Sequence, residues 1–164
     1  DEVLRDGWLY TGDVGHLNAD GHILITDRKK DIIVNSGGDT LSPQRVEGFL
    51  SLEPEIAQAM VHGDKRPHLV ALLVPDARWA HQWAADNARP ADLARLVEDA
   101  DFVKQLGAAV DRVNQGLSTP ERVRRFVVTG DEFTTENGLM TPSMKLRRHK
   151  INELHGARLE ALYR

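Results

Sequence analysis

Leu69-Val70-Ala71-Leu72-Leu73-Val74 is an unbroken apolar run, and it decides the fold class. A strand that faced water on one side would alternate; a continuous run belongs to a strand buried on both faces. Residues 56 to 62 read as a second strand, with Gly63-Asp64-Lys65-Arg66-Pro67 as the connecting loop. A strand covered on both sides needs layers above and below it, so the flanking sequence must supply helices.

It does. From Asp76 to Leu117 the pattern is helical: Trp79 and Trp83 are four apart, and Phe102, Leu106, Val110, Val113 and Leu117 recur at helical spacing. Pro90 divides this region and Thr119-Pro120 ends it. The tryptophans read as core or packing residues rather than as part of a ligand box. Val123 to Thr129 reads as another strand, residues 130 to 142 as a loop, and the end of the chain as a helix with Ile151, Leu154 and Leu162 inward. On the N-terminal side, Ser42 caps a helix opened by Pro43, with Val46, Phe49 and Leu50 on its apolar face. Strands and helices mix without regular alternation, so the expected class is α+β, a small sheet with helices on its faces.

Residues 7 to 30 read as a polar hairpin: a short strand Trp8-Leu9-Tyr10, a turn Asn18-Ala19-Asp20-Gly21 and a returning strand His22 to Thr26. The charge cluster Asp27-Arg28-Lys29-Lys30-Asp31 follows, then Ile32-Ile33-Val34 and the loop Asn35-Ser36-Gly37-Gly38-Asp39. A domain boundary is expected in that cluster. It separates 1–29, a β-hairpin remnant of a larger N-terminal domain, from 30–164.

Composition narrows the function classes. The 164 residues are 41% hydrophobic and 28% charged, an ordinary globular balance, and the net charge of −4 speaks against a general nucleic-acid binder. Without cysteine there is no disulfide, thiolate metal site or cysteine nucleophile. No apolar run approaches the ~18 residues a membrane span requires. The start, Asp1-Glu2-Val3-Leu4-Arg5-Asp6, is no signal peptide and carries no initiator methionine; it is expected to be an internal point of a longer chain. There is no phosphate-loop, dinucleotide or nucleophile-elbow motif. The seven histidines show no ligand pairing, so no metal site is expected.

Three loops combine glycine, charge and small polar residues. They are Tyr10-Thr11-Gly12-Asp13, the stretch from Asp27 to Gly38, and Leu139-Met140-Thr141-Pro142-Ser143-Met144-Lys145. A carboxylate after glycine can accept bonds from vicinal sugar hydroxyls. A Gly-Gly pair lets backbone approach a ligand, and a loop lysine can meet a developing negative charge.

In this order and spacing the loops resemble the motifs of the adenylate-forming superfamily of acyl-CoA synthetases, luciferases and peptide-synthetase adenylation domains. Asp6-Gly7-Trp8-Leu9-Tyr10-Thr11-Gly12-Asp13-Val14-Gly15 is similar to the Thr-Gly-Asp motif. Asp20-Gly21-His22-Ile23 with Asp27-Arg28-Lys29-Lys30-Asp31 resembles the hinge motif. Asn35-Ser36-Gly37-Gly38 with Leu41-Ser42-Pro43 resembles the glycine loop and helix start, and Thr141-Pro142-Ser143-Met144-Lys145-Leu146-Arg147-Arg148 the lysine motif. The forms are most similar to long-chain fatty acyl-CoA synthetases. Other branches usually carry Gly-Lys at the last motif, where this chain has Met144-Lys145. Asp39 and Thr40 depart from the pair common after the two glycines.

The resemblance implies a two-step ligase. ATP and a fatty acid give an acyl-adenylate and pyrophosphate; the coenzyme A (CoA) thiol then gives acyl-CoA and AMP. By the same resemblance, Asp13 and Arg28 would bind the nucleotide, and Lys30 would be the hinge. Gly37 and Gly38 would line the path of the CoA pantetheine arm, and Lys145 would serve adenylation. Arg147 and Arg148 are expected to be structural or solvent-facing. Magnesium would accompany ATP on a ligand in the N-terminal domain, the chain's main partner, so the chain alone would lack ligase activity. Cytoplasmic localisation with room for peripheral membrane contact is implied. An acyl-AMP ligase serving a carrier protein and a non-catalytic nucleotide-binding or docking module are the alternatives.

Overall fold

The structure is a computed structural model that describes residues 3–164. The acidic start Asp1-Glu2 lies outside the described residues, as do the side chains of Thr26 and Asp27. Two hairpins come first: β1 (Leu4–Arg5) pairs antiparallel with β2 (Trp8–Leu9), and β3 (Asp13–Leu17) with β4 (Ile23–Arg28). The expected turn at Asn18 to Gly21 closes β3 onto β4, with Gly21 N–H donating to the Asn18 carbonyl at 3.0 Å. The partner of the returning strand is corrected, however. It pairs with Asp13–Leu17 rather than with Trp8-Leu9-Tyr10. Asp13-Val14-Gly15-His16-Leu17 hides its strand character because glycine and two polar residues break the alternation.

A third hairpin, β5 (Ile33–Val34) and β6 (Thr40–Leu41), carries the glycine loop and leads into helix α1 (Pro43–Leu50). Ser42 caps this helix by accepting from the Arg45 N–H at 3.2 Å, and Pro43 stands in its first turn. Val46 and Leu50 are fully buried as expected, but Phe49 is 41% exposed, its ring under the Arg45 guanidinium.

The main sheet has the order β7-β8-β9, from β7 (Ile56–His62), β8 (Leu69–Pro75) and β9 (Val123–Val128). β8 lies in the middle, antiparallel to β7 and parallel to β9. A parallel pair cannot be joined by a tight turn. The intervening chain supplies α2 (Ala77–Asp86), α3 (Leu93–Leu96), α4 (Ala100–Gln115) and a 3-10 turn at Thr119–Glu121. The apolar run of β8 now has its explanation. Leu69, Ala71 and Leu73 face a core built with α1, α2 and α4. Val70, Leu72 and Val74 face a second core built with Phe133, Leu139 and the last helix, α5 (Arg148–Ala161). All six are fully buried.

Trp79 and Trp83 pack on Phe102 at centroid distances of 5.2 and 5.1 Å, as core residues. In α5 the inward residues are Ile151, His155 and Leu159, spaced four apart, with Leu162 partly buried beyond them; Leu154 is 65% exposed. Reading Leu154 as inward fails because the buried stripe is only one residue wide, and His155 occupies its middle place.

Candidate functional site

Register in the β3–β4 hairpin sets Asp13 opposite Arg28, and the Arg28 Nε meets Asp13 Oδ1 at 2.8 Å. The guanidinium engages one carboxylate oxygen and leaves acceptor capacity on the carboxylate. Thr11 Oγ1 accepts from the Asp13 N–H at 3.1 Å and steadies the strand start. Just beyond β4 the backbone turns: Asp31 and Ile32 both donate to the Arg28 carbonyl, at 2.9 and 3.2 Å. Lys30 stands exposed on that turn, between the second hairpin and the third.

The lysine motif is a tight hairpin turn. Thr141 N–H donates to the Lys145 carbonyl at 2.8 Å, and Lys145 N–H donates to Thr141 Oγ1 at 3.1 Å. Met140 and Leu146 form a bridge beneath them. Met144 takes φ +60°, the left-handed region, with its side chain 69% exposed. Lys145 is thus an exposed cation on a backbone fixed from both sides. Among the described residues no carboxylate is within ion-pair distance of it. Arg148, three residues on, is committed to structure. Its two terminal nitrogens each lie 2.6 Å from a separate oxygen of Glu47, which is buried and also accepts from the Val61 N–H at 2.8 Å.

Arg28, Lys30 and Lys145 line one open cleft of about 1150 Å³. Its wall holds seven lysine and arginine side chains against three carboxylates, with Asp13 and Glu47 pairing Arg28 and Arg148 from just outside it; the remaining positive balance suits a polyanion and not an aliphatic chain. Asp13 joins the cleft through Arg28. Gly37 and Gly38 do not line it. Asn35 builds their loop from within: its Oδ1 accepts from the Gly37 and Asp39 N–H groups, both at 2.9 Å, and its Nδ2 donates to Asp39 Oδ2 at 2.9 Å. Gly38 has φ +88° and open space where a Cβ would stand. Asp39, the departure from the family pattern, is therefore a structural partner of Asn35.

Sequence reasoning missed the far end of the cleft. His62, Arg66 and Glu160 meet there: the Arg66 guanidinium bonds the Glu160 carboxylate, and the His62 Nε2 lies 3.1 Å from it. Asn152 also lines the cleft, with a buried Oδ1 that has no hydrogen-bond partner among the described residues. No local pattern announces these residues, since Arg66 and Glu160 are 94 positions apart. Among the described residues no group of three or more His, Asp or Glu side chains could hold a metal ion, and no helix is long and apolar enough to cross a membrane.

Residues 30–164 match the family described as the AMP-binding enzyme C-terminal domain. Over 164 residues, 99% of the chain, it is 37% identical to the long-chain-fatty-acid–CoA ligase FadD15 of Mycobacterium tuberculosis, and it covers 27% of that protein. It is 33% identical to human long-chain-fatty-acid–CoA ligase 6, over 96% of the chain and 23% of the relative. The structure resembles the adenylation domain of a carboxylate reductase from Mycobacterium chelonae. The TM-score is 0.83 at 30% identity, covering 99% of the chain and 24% of that domain. The adenylation domain of the Segniliparus rugosus carboxylic acid reductase, in complex with AMP and a co-purified carboxylic acid, gives 0.80, also at 30% identity, over 99% and 24%. The chain thus spans about a quarter of the length of the relatives it matches.

Proposed function

Since the chain belongs to the AMP-binding enzyme C-terminal domain family, we propose that it acts as the mobile part of an AMP-forming long-chain fatty acid–CoA ligase. The observation that carries this reading is the cleft: Lys145 stands unpaired among the described residues on a rigid turn, facing the same space as Arg28 and Lys30.

The first half-reaction joins a carboxylate oxygen to the α-phosphorus of ATP and expels pyrophosphate. Negative charge gathers on the phosphoryl oxygens as the bond forms. Lys145 is the fixed cation that meets it, and such preorganised charge needs no reorganisation at the moment of reaction. Asp13 accepts from the ribose hydroxyls, and Arg28 holds Asp13 in place while adding positive potential at the nucleotide. In the second half-reaction the CoA sulfur attacks the acyl carbon, the bond to AMP breaks and the thiol proton is lost. Gly37 and Gly38 line the approach of the pantetheine arm.

The two halves need different faces of the domain, and Lys30 is the hinge between them. The division falls between residues 1–29, as the tail of an N-terminal adenylation domain, and residues 30–164 as the mobile body. Supporting this, Trp8, Leu9, Tyr10, Leu17, Ile23 and Ile25 of the first two hairpins are all at least 60% exposed, an apolar surface that an N-terminal domain would cover. The magnesium that accompanies ATP is assigned to that domain too. Fatty acid, ATP and CoA are the proposed substrates. A cytoplasmic site of action with peripheral membrane contact accords with a lipid substrate.

CoA is preferred to a carrier protein as acceptor because a relative named as a long-chain-fatty-acid–CoA ligase is 37% identical over 99% of the chain. The test is to incubate the full-length protein with ATP, CoA and fatty acids of increasing length. Acyl-CoA and AMP in equal amounts are expected. Adenylate that accumulates and passes only to a carrier protein would refute the choice of acceptor.

A further inference from the structure

The turn Gly63-Asp64-Lys65-Arg66 between β7 and β8 grips the glycine loop with three hydrogen bonds. Asp64 Oδ1 accepts from the Val34 N–H at 3.1 Å. The Lys65 N–H donates to the Val34 carbonyl at 2.8 Å, and the Ser36 N–H donates to the Arg66 carbonyl at 3.0 Å. This turn is shaped at some expense. Lys65 takes φ +58°, and at Gly63 a Cβ would lie 2.6 Å from Leu69 Cδ2 and 3.1 Å from the His68 carbonyl. A backbone held in an uncommon conformation needs neighbours that over-determine it.

Those neighbours come from the other end of the chain. Glu160, near the C-terminal end of α5, bonds the Arg66 guanidinium and the His62 ring. The Tyr163 hydroxyl donates to the carbonyls of both His62 and His68, at 3.1 Å each, so it ties the strand before the turn to the strand after it. The Arg66 guanidinium lies over the Tyr163 ring, 5.3 Å from its centroid. Burial, reinforced by Glu160, raises the Tyr163 pKa well above its ordinary value, so the hydroxyl keeps its proton and remains a donor.

The lysine turn is held separately. Its bonds run among residues 134–147 and to Gln58, and Arg148 at the start of α5 fixes it to Glu47. Twelve residues of helix, about 18 Å at 1.5 Å per residue, separate Arg148 from Glu160. The two ends of α5 therefore support two different loops.

We propose that Glu160 and Tyr163 are positioning residues for the glycine loop: acting through Arg66 and the 63–66 turn, they hold Gly37 and Gly38 in register for the thiol substrate. The C-terminal end of α5 then serves the thioester-forming half-reaction, as its N-terminal end serves adenylation. This rests on the assignment of Gly37 and Gly38 to the thiol path, so the test needs one readout that does not depend on it.

Glu160→Gln in the full-length protein keeps the side chain's size and removes the charge that engages Arg66. Loss of a charge-assisted bond should raise the KM for CoA about five- to tenfold, a larger effect than that on fatty-acid-dependent pyrophosphate exchange, which the same cleft supports. Asp64→Ala, an exposed position outside α5, should give the same split. The independent readout is amide exchange in this chain: Glu160→Gln should speed exchange at the Ser36 and Gly38 N–H groups and spare Lys145. An equal fall in both half-reactions, an unchanged KM for CoA, or unchanged Ser36 and Gly38 exchange would overturn the proposal. If those amides respond but the parent makes no acyl-CoA, the coupling stands and the ligase reading falls.

Discussion

On the proposed reading, replacing Lys145 or Gly38 should separate the half-reactions. In that reading Lys145→Ala removes a cation that would meet charge only while the adenylate forms. Adenylation should fall by about 10²–10³, measured by pyrophosphate exchange, while a supplied acyl-adenylate is still converted to acyl-CoA at near the parental rate. Equal damage to both steps would remove Lys145 from the role given to it. Gly38→Leu acts in the opposite half. A leucine at φ +88° carries backbone strain of about 1–2 kcal/mol, and its side chain enters the open space above the loop. Acyl-CoA output should drop while exchange survives. If exchange drops equally, Gly38 is a folding glycine. At this scale the motif residues were legible because each loop carries its own chemistry in a few consecutive positions. Glu47, Arg66, Asn152 and Glu160 were not, because each has meaning only beside a residue far along the chain.

The proposed hinge and the last helix belong to the scale of elements. Lys30 sits on a turn where the Asp31 and Ile32 N–H groups both reach the Arg28 carbonyl. Lys30→Pro locks one backbone dihedral and disfavours the helical region for Lys29. In the full-length protein it should trap one orientation, abolishing one half-reaction and largely sparing the other; comparable rates in both, each near the parental value, would show that residue 30 does not rotate. Arg148 anchors the start of α5 on α1. Arg148→Ala takes the guanidinium from a buried Glu47 carboxylate, and breaking such a pair typically costs about 3–5 kcal/mol. Thermal unfolding of this chain should show a large drop in midpoint, whereas Arg147→Ala should not. The strands of the main sheet, α1 and the divided helical region were all legible from period, caps and proline. Among the details that were not are the strand nature of Asp13–Leu17, masked by glycine, the outward Phe49 of α1, and the inward face of α5, where a histidine takes the central place.

At the scale of the whole molecule, stability should depend on two histidines. Burial, followed by Arg158, holds His155 below the ordinary 6.5, with Asp131 opposing. Burial, followed by Arg124 and Arg125, does the same for His68. Both are neutral in the folded state at pH values where the unfolded chain is protonated. Their contribution is therefore complete above about pH 6.5 and is lost as pH falls toward the folded values, by up to about 1.4 kcal/mol per pH unit for each proton taken up. Urea unfolding across pH 5 to 7.5 should show stability rising with pH, and His155→Leu should flatten the rise. Amide exchange tests the proposed division of the chain. Fast exchange before Lys30 and slow exchange in β7, β8 and β9 is expected, while uniform protection over residues 3 to 75 would place the boundary elsewhere.

The α+β class, the doubly buried central strand and the four motif loops were decided by the sequence alone, because each depends on neighbours within one element: an apolar run, a cap, a turn, a glycine pair. The tertiary structure alone decided that Arg28, Lys30 and Lys145 share a cleft while the glycine loop lies outside it. It alone also decided that Glu160 bonds Arg66, whose carbonyl accepts from the Ser36 N–H of that loop. Those relations join side chains 94 or more positions apart or pass through a fold in space, and hydrogen bonds and ion pairs act over a few ångströms of space whatever the distance along the chain.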